Sequence, residues 1–128
     1  MLLPTSPEIG HVDFDNWVSA FVRQVNQRTW LAPTYENSWV NYGSTFQDGG
    51  YYKDLFNRVH LRGLVKDGTV ANTIFTLPEG YRPPATGIFI VISNSAIGRV
   101  DITSAGAVDG TTVDNNWVSL EGISFTAT

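Results

Sequence analysis

The sequence predicts an all-β domain, an antiparallel β-sandwich of jelly-roll type, preceded by one short N-terminal helix. Three observations carry this reading. Two-residue alternation dominates after Thr29, glycine- and aspartate-containing reversals punctuate it, and helical periodicity occurs once, before Thr29. A chain of 128 residues can bury roughly two-thirds of its unfolded surface in a single core without disulfide or metal staples. Two parts follow: a linker and short oligomerising helix at residues 1–28, the junction to a stem, and a β-sandwich head at residues 29–128.

Met1 to Val12 holds Pro4, Pro7 and Gly10 and reads as a linker that includes His11. Asp13 to Arg28 reads as the helix. Phe14, Val18, Phe21 and Val25 recur at intervals of 4, 3 and 4, the spacing of a coiled-coil seam, and Trp17 and Val22 widen the stripe. Asp13 or Asp15 can cap the start, and Arg28 suits the negative end of the helix dipole. Two heptads are too few for a self-sufficient coiled coil, so the helix needs support. Its apolar stripe fits either an oligomerising seam of Phe14, Trp17, Val18, Phe21 and Val25 or a helix folded back on its own sandwich.

From Arg58 to Lys66, Val59, Leu61, Gly63 and Val65 alternate with Arg58, His60, Arg62, Leu64 and Lys66, which predicts a half-buried antiparallel strand. Thr73 to Leu77, Ile88 to Ser93, Arg99 to Thr103, Trp117 to Leu120 and Ile123 to Thr126 are rich in β-branched and aromatic residues and complete a set of at least six strands. Asp48-Gly49, Asp67-Gly68 and Asp109-Gly110 tolerate positive φ and are expected to form the tight reversals. Pro78, Pro83 and Pro84 cannot donate to a ladder, so Pro78 to Thr86 is expected to be a loop crossing between sheets.

Composition narrows the function. Zero cysteines exclude disulfide frameworks, thiolate metal sites and cysteine nucleophiles. A net charge of −4 argues against a phosphate-backbone binder, so no nucleic acid partner is expected. The longest apolar run, Ile88 to Ile92, is five residues against the roughly 20 that cross a bilayer, so no membrane insertion is expected. No catalytic residues are expected either. His11 and His60 are the two histidines, and no Gly-x-Ser-x-Gly elbow, His-Glu-x-x-His pair, calcium loop or phosphate-cradling glycine loop accompanies them. His60 reads as a strand-face histidine paired with a cross-strand acid. Asp114-Asn115-Asn116 offers oxygens to a cation but reads better as a polar turn before Trp117. No metal and no cofactor are expected.

Aromatic density stands out. Tyr35, Trp39, Tyr42, Phe46, Tyr51 and Tyr52 are interleaved with Glu36, Asn37, Asn41, Gln47 and Asp48. Rings beside amides and carboxylates suit a saccharide, which offers an apolar C–H face and a rim of hydroxyls. Trp39 and about half of the others are needed to fill a core poor in leucine.

An ordered set of segments carries a family resemblance. Trp30, Asn37-Ser38-Trp39, Tyr42-Gly43, Tyr52-Lys53-Asp54, Arg58 to Val65, Ile74 to Pro78, Gly80-Tyr81-Arg82-Pro83, Gly98 to Ile102, Trp117 to Leu120 and Gly122 to Phe125 span nearly all of the chain after Thr29. Together they resemble the C-terminal head domain of phage tail fibres and receptor-binding minor tail proteins. The resemblance implies a virion protein located in the phage tail, a homotrimer that attaches to a host cell-surface glycan or other envelope component. It also implies that other tail proteins join from the N-terminal side, and Met1 leading straight into a proline-containing linker fits the distal piece of a longer fibre. The shared positions serve the scaffold: Gly63 for close packing, Leu77-Pro78 for leaving a strand, Trp39 and Phe125 for core volume. Receptor contacts are therefore expected in loops and outward positions, at Tyr35, Asp48, Tyr51, Tyr52, Arg62, Asp114 and Asn115. A purely structural trimerising cap is the alternative; a glycan depolymerase, which needs paired carboxylates in a groove, ranks third.

Overall fold

The computed structural model describes residues 11–26 and 29–128. It is an antiparallel β-sandwich with one short helix before it, as the alternation predicts. The helix, α1, runs His11–Asn26. It thus begins two residues earlier than the periodicity suggests. His11 therefore belongs to α1 and not to a linker. Asp13 and Asp15 fall within its first turns, where carboxylates suit the dipole without capping. Phe14, Trp17 and Phe21 stack along one stripe with ring centroids 6.0 and 5.9 Å apart, and Phe14 is 51% exposed. Arg28, residues 1–10 and the Val25 side chain lie outside the described set.

Ten strands follow: β1 (Val40–Asn41), β2 (Gly50–Lys53), β3 (Arg58–Arg62), β4 (Leu64–Lys66), β5 (Thr73–Thr76), β6 (Gly87–Ser93), β7 (Ala96–Ile102), β8 (Ala107–Thr112), β9 (Val118–Ser119) and β10 (Ser124–Thr126). Seven form one sheet in the order β1-β4-β9-β6-β7-β8-β5, and β10-β3-β2 form a second. Val59, Leu61 and Phe125 from the small sheet meet Val65, Ile74, Phe75, Val91, Val100, Ile102, Val108 and Val118 from the large one in a single core. Trp39 and Leu77 are buried with them.

The segment from Arg58 to Lys66 is two strands, not one. Gly63, at φ 107°, passes the chain from the small sheet to the large one. A Cβ there would sit 2.4 Å from the Gly49 Cα, so only glycine permits the crossing. The inward set Val59, Leu61, Gly63 and Val65 survives the switch, because each half keeps its own period of two.

The reversals differ in part from expectation. Asp67 does adopt positive φ, at 66°. Asp48-Gly49, however, is extended chain entering β2; the turn lies just before it, where the Phe46 N–H donates to the Gly43 carbonyl at 3.2 Å. Asp109-Gly110 lies inside β8, where the Asp109 carboxylate accepts from the Thr73 hydroxyl at 2.6 Å and the strand pairs with β5 and β7. Asn94 and Ser95, both at positive φ, make the two-residue turn between β6 and β7. Residues 78–86 do form a loop, but it joins β5 to β6 within one sheet. Its middle rests on the other sheet, where Gly80 accepts from the Lys53 ammonium at 2.8 Å and Arg82 accepts from the Thr128 N–H at 2.9 Å.

Candidate functional site

Two clefts open side by side along the junction of the two sheets, and Gln47 and Glu121 border both. The first, of about 410 Å³, is apolar at its base: Tyr42, Phe46, Leu64, Ile92 and Trp117 line it, with Ser119 among its polar groups. Its walls come from distant parts of the chain. The loop carrying Tyr42 to Gln47 is tied to β4 at both ends, since the Tyr42 N–H donates to Leu64 O and the Leu64 N–H donates to Gln47 O, both at 2.9 Å. β9 pairs with β4 and brings Trp117 and Ser119 alongside. The Phe46 ring meets Tyr42 edge-on at 5.2 Å, and the Lys66 ammonium lies 5.1 Å from the Tyr42 ring. Glu121 is fixed because its carboxylate accepts from the Gly63 N–H at 3.1 Å.

The second cleft, of about 350 Å³, is polar. β2 and β3 set its floor by register: Tyr52 stands opposite His60, and Gly50 opposite Arg62. With no side chain at Gly50, the Arg62 guanidinium lies across the sheet and over the Trp30 ring, 4.5 Å from its centre. Trp30 meets Tyr52 edge-on at 4.5 Å, and Tyr52 stacks on His60 at 4.9 Å. His60 is held by Asp54, Nε2 to Oδ2 at 2.9 Å. Burial works to raise the Asp54 carboxyl. The bonds from His60 and from the backbone N–H groups of Arg58 and Phe56 outweigh it and hold Asp54 below the usual carboxylate range.

Of the residues expected to touch a receptor, Tyr52 and Arg62 share this cleft. Tyr35 and Tyr51 do not: Tyr35 meets Phe75 edge-on at 6.3 Å and Tyr51 stacks on it at 6.1 Å, so both rings serve the core. The Tyr35 hydroxyl donates to the Asn41 side chain, and burial pushes its phenol up to about 12. Burial also raises Tyr51. Asp48 is exposed and lines neither cleft. Asp114 and Asn115 are occupied as turn formers. The Asp114 carboxylate accepts from the Asn116 N–H at 2.8 Å, and the Asn115 amide donates to Gly68 O at 3.1 Å. Among the described residues no three histidine or acidic side chains gather in metal-binding geometry.

Trp30, Trp117 and Glu121 carry no local signal in the sequence as site residues, whereas Gln47 belongs to the aromatic- and amide-rich segment singled out above. Strand pairing and the Glu121–Gly63 bond assemble them, and neither is readable from spacing. No family model, curated protein or solved structure matches the chain.

Proposed function

We propose that the chain is the non-catalytic receptor-binding head of a phage tail fibre, attaching the virion to host cell-surface saccharide as a homotrimer. The observation that carries this is the first cleft, where the rings of Tyr42, Phe46 and Trp117 stand beside Gln47, Ser119 and Glu121. Rings of this kind stack on the C–H face of a sugar, while amide, hydroxyl and carboxylate groups bond its hydroxyl rim. The segment resemblance to tail-fibre heads supports the same reading. Open, shallow sites bind weakly one at a time, and three linked copies restore avidity through high local concentration. The ring-stacked stripe of Phe14, Trp17 and Phe21 on α1, together with Val18 of the same seam, supplies the surface through which copies join.

The test is a glycan array and a host-envelope pull-down with the full chain. Retention on host saccharide is expected, reduced about tenfold by Trp117→Ala or Tyr42→Ala, the effect of losing about 1.4 kcal/mol. Binding indifferent to both substitutions overturns the site. Light scattering checks the assembly: Phe21→Asp is expected to dissociate the trimer, and a monomeric wild type overturns the trimer. Failure to bind any host material, with the trimer intact, would leave a purely structural cap.

A further inference from the structure

The second cleft holds an unused cation. Across residues 29–128 every other lysine or arginine side chain has an oxygen partner. Lys53 donates to Gly80 O, Arg58 to Ser124 and Thr126, Lys66 pairs with Asp67, Arg82 donates to Leu77 O, and Arg99 pairs with Asp101. Arg62 has none, and its Nε is buried without a hydrogen-bond partner. The buried Nε is out of a ligand's reach, but the terminal nitrogens of Arg62 are not buried, and a guanidinium presents its donors in a fixed fork suited to oxyanions. Stacking on Trp30 fixes the plane of that fork, so little side-chain freedom remains to be lost on binding.

We propose that the Trp30–Arg62 cleft takes the acidic group of an anionic saccharide, a uronate-type carboxylate or a phosphodiester. This rests on the reading that the chain binds saccharide, and it names the class. Arg62 receives the oxyanion, and Trp30 and Tyr52 flank the ring that bears it. Gln47 and Glu121, common to both clefts, bond the hydroxyls of the sugar that continues into the first cleft. A chain with net charge −4 repels acidic polymers at long range, so recognition must come from this local fork.

Calorimetric or NMR titration of the full chain tests it with three probes: a glucuronate disaccharide, its methyl ester, and glycerol phosphate. The acid is expected to bind the wild type at least about tenfold more tightly than the ester, as one charge-assisted contact implies. Arg62→Gln is expected to remove that preference, and Arg62→Lys to restore part of it. Because Arg62 packs on Trp30, the acid-against-ester comparison is made on the wild type and does not depend on the variants folding. Preference for glycerol phosphate or for glucuronate assigns phosphodiester or carboxylate; either supports an acidic ligand. Equal binding of acid and ester overturns the inference while saccharide binding stands. Failure of every probe and of the host-glycan array overturns both.

Discussion

Outward from β6 and β7 the large sheet presents Ile88, Ile90, Ile92 and Ile97, with Ile90 80% and Ile97 78% exposed. Outward from β2 and β3 the small sheet presents Tyr52, Arg58, His60 and Arg62. The same period of two builds both surfaces, so backbone geometry does not distinguish them. Composition does. β6 reads Gly-Ile-Phe-Ile-Val-Ile-Ser and is apolar toward the core and away from it, a pattern suited to strands covered on both sides. On the small sheet the outward charges are bonded within the molecule, apart from Arg62. One face presents mostly hydrocarbon to its surroundings and the other mostly polar groups.

The largest perturbation should erase the contrast by removing the core beneath it. Phe75 is fully buried and seats both Tyr35 and Tyr51, so Phe75→Ala is expected to cost about 3–5 kcal/mol in urea unfolding. A cost below 1 kcal/mol, about the scale of a surface change, would show that the two layers do not share one core. Gly63→Ala places a Cβ against Gly49 at a strained φ and is expected to cost about 3 kcal/mol, from overpacking together with backbone strain. The double substitution of Ile90 and Ile97 by serine separates the faces more finely. Stability in urea unfolding should move by no more than about 0.5 kcal/mol, because Ile90 and Ile97 point away from the core. A larger loss would show that this face packs within the chain.

The smallest effect belongs to the polar face and depends on pH. Asp54 titrates lower in the folded chain than in the unfolded one, so it adds stability that is complete above the ordinary carboxylate range. That increment fades as pH falls through the folded value. Asp54→Asn should therefore narrow the gap between neutral and acid unfolding midpoints, and an identical acid limb would mean the His60–Asp54 contact contributes nothing.

Most of the fold was legible because burial and period coincide: Val59, Leu61 and Val65 could be assigned inward from alternation, and all three are buried. β1, β2 and β8 were not foreseen. Each is defined by its partners more than by its residues, and β8 even carries an Asp-Gly pair that local chemistry assigns to a turn. Of the site, Tyr52 and Arg62 could be named because they flank or occupy an alternating strand. Trp117 and Glu121 could not, since they approach Gln47 only after β9 pairs with β4. Aromatic density marked the segment that lines part of the first cleft but could not separate rings resting on Phe75 from rings facing solvent.

The crossing at Gly63 also sets a rule of parity. One ribbon, residues 58–66, lends its odd-numbered side chains to the interior of both layers, so it acts as a phase reference for the whole sandwich. Insertion of a single residue at the crossing would rotate Val65 to solvent and Lys66 inward, and would carry the partners of β1 and β9 out of step with them. Insertions of two would preserve the phase. Length variation tolerated at this crossing should therefore come in even steps, whereas the Tyr42–Gln47 loop, which carries no such phase, is free to vary by any number.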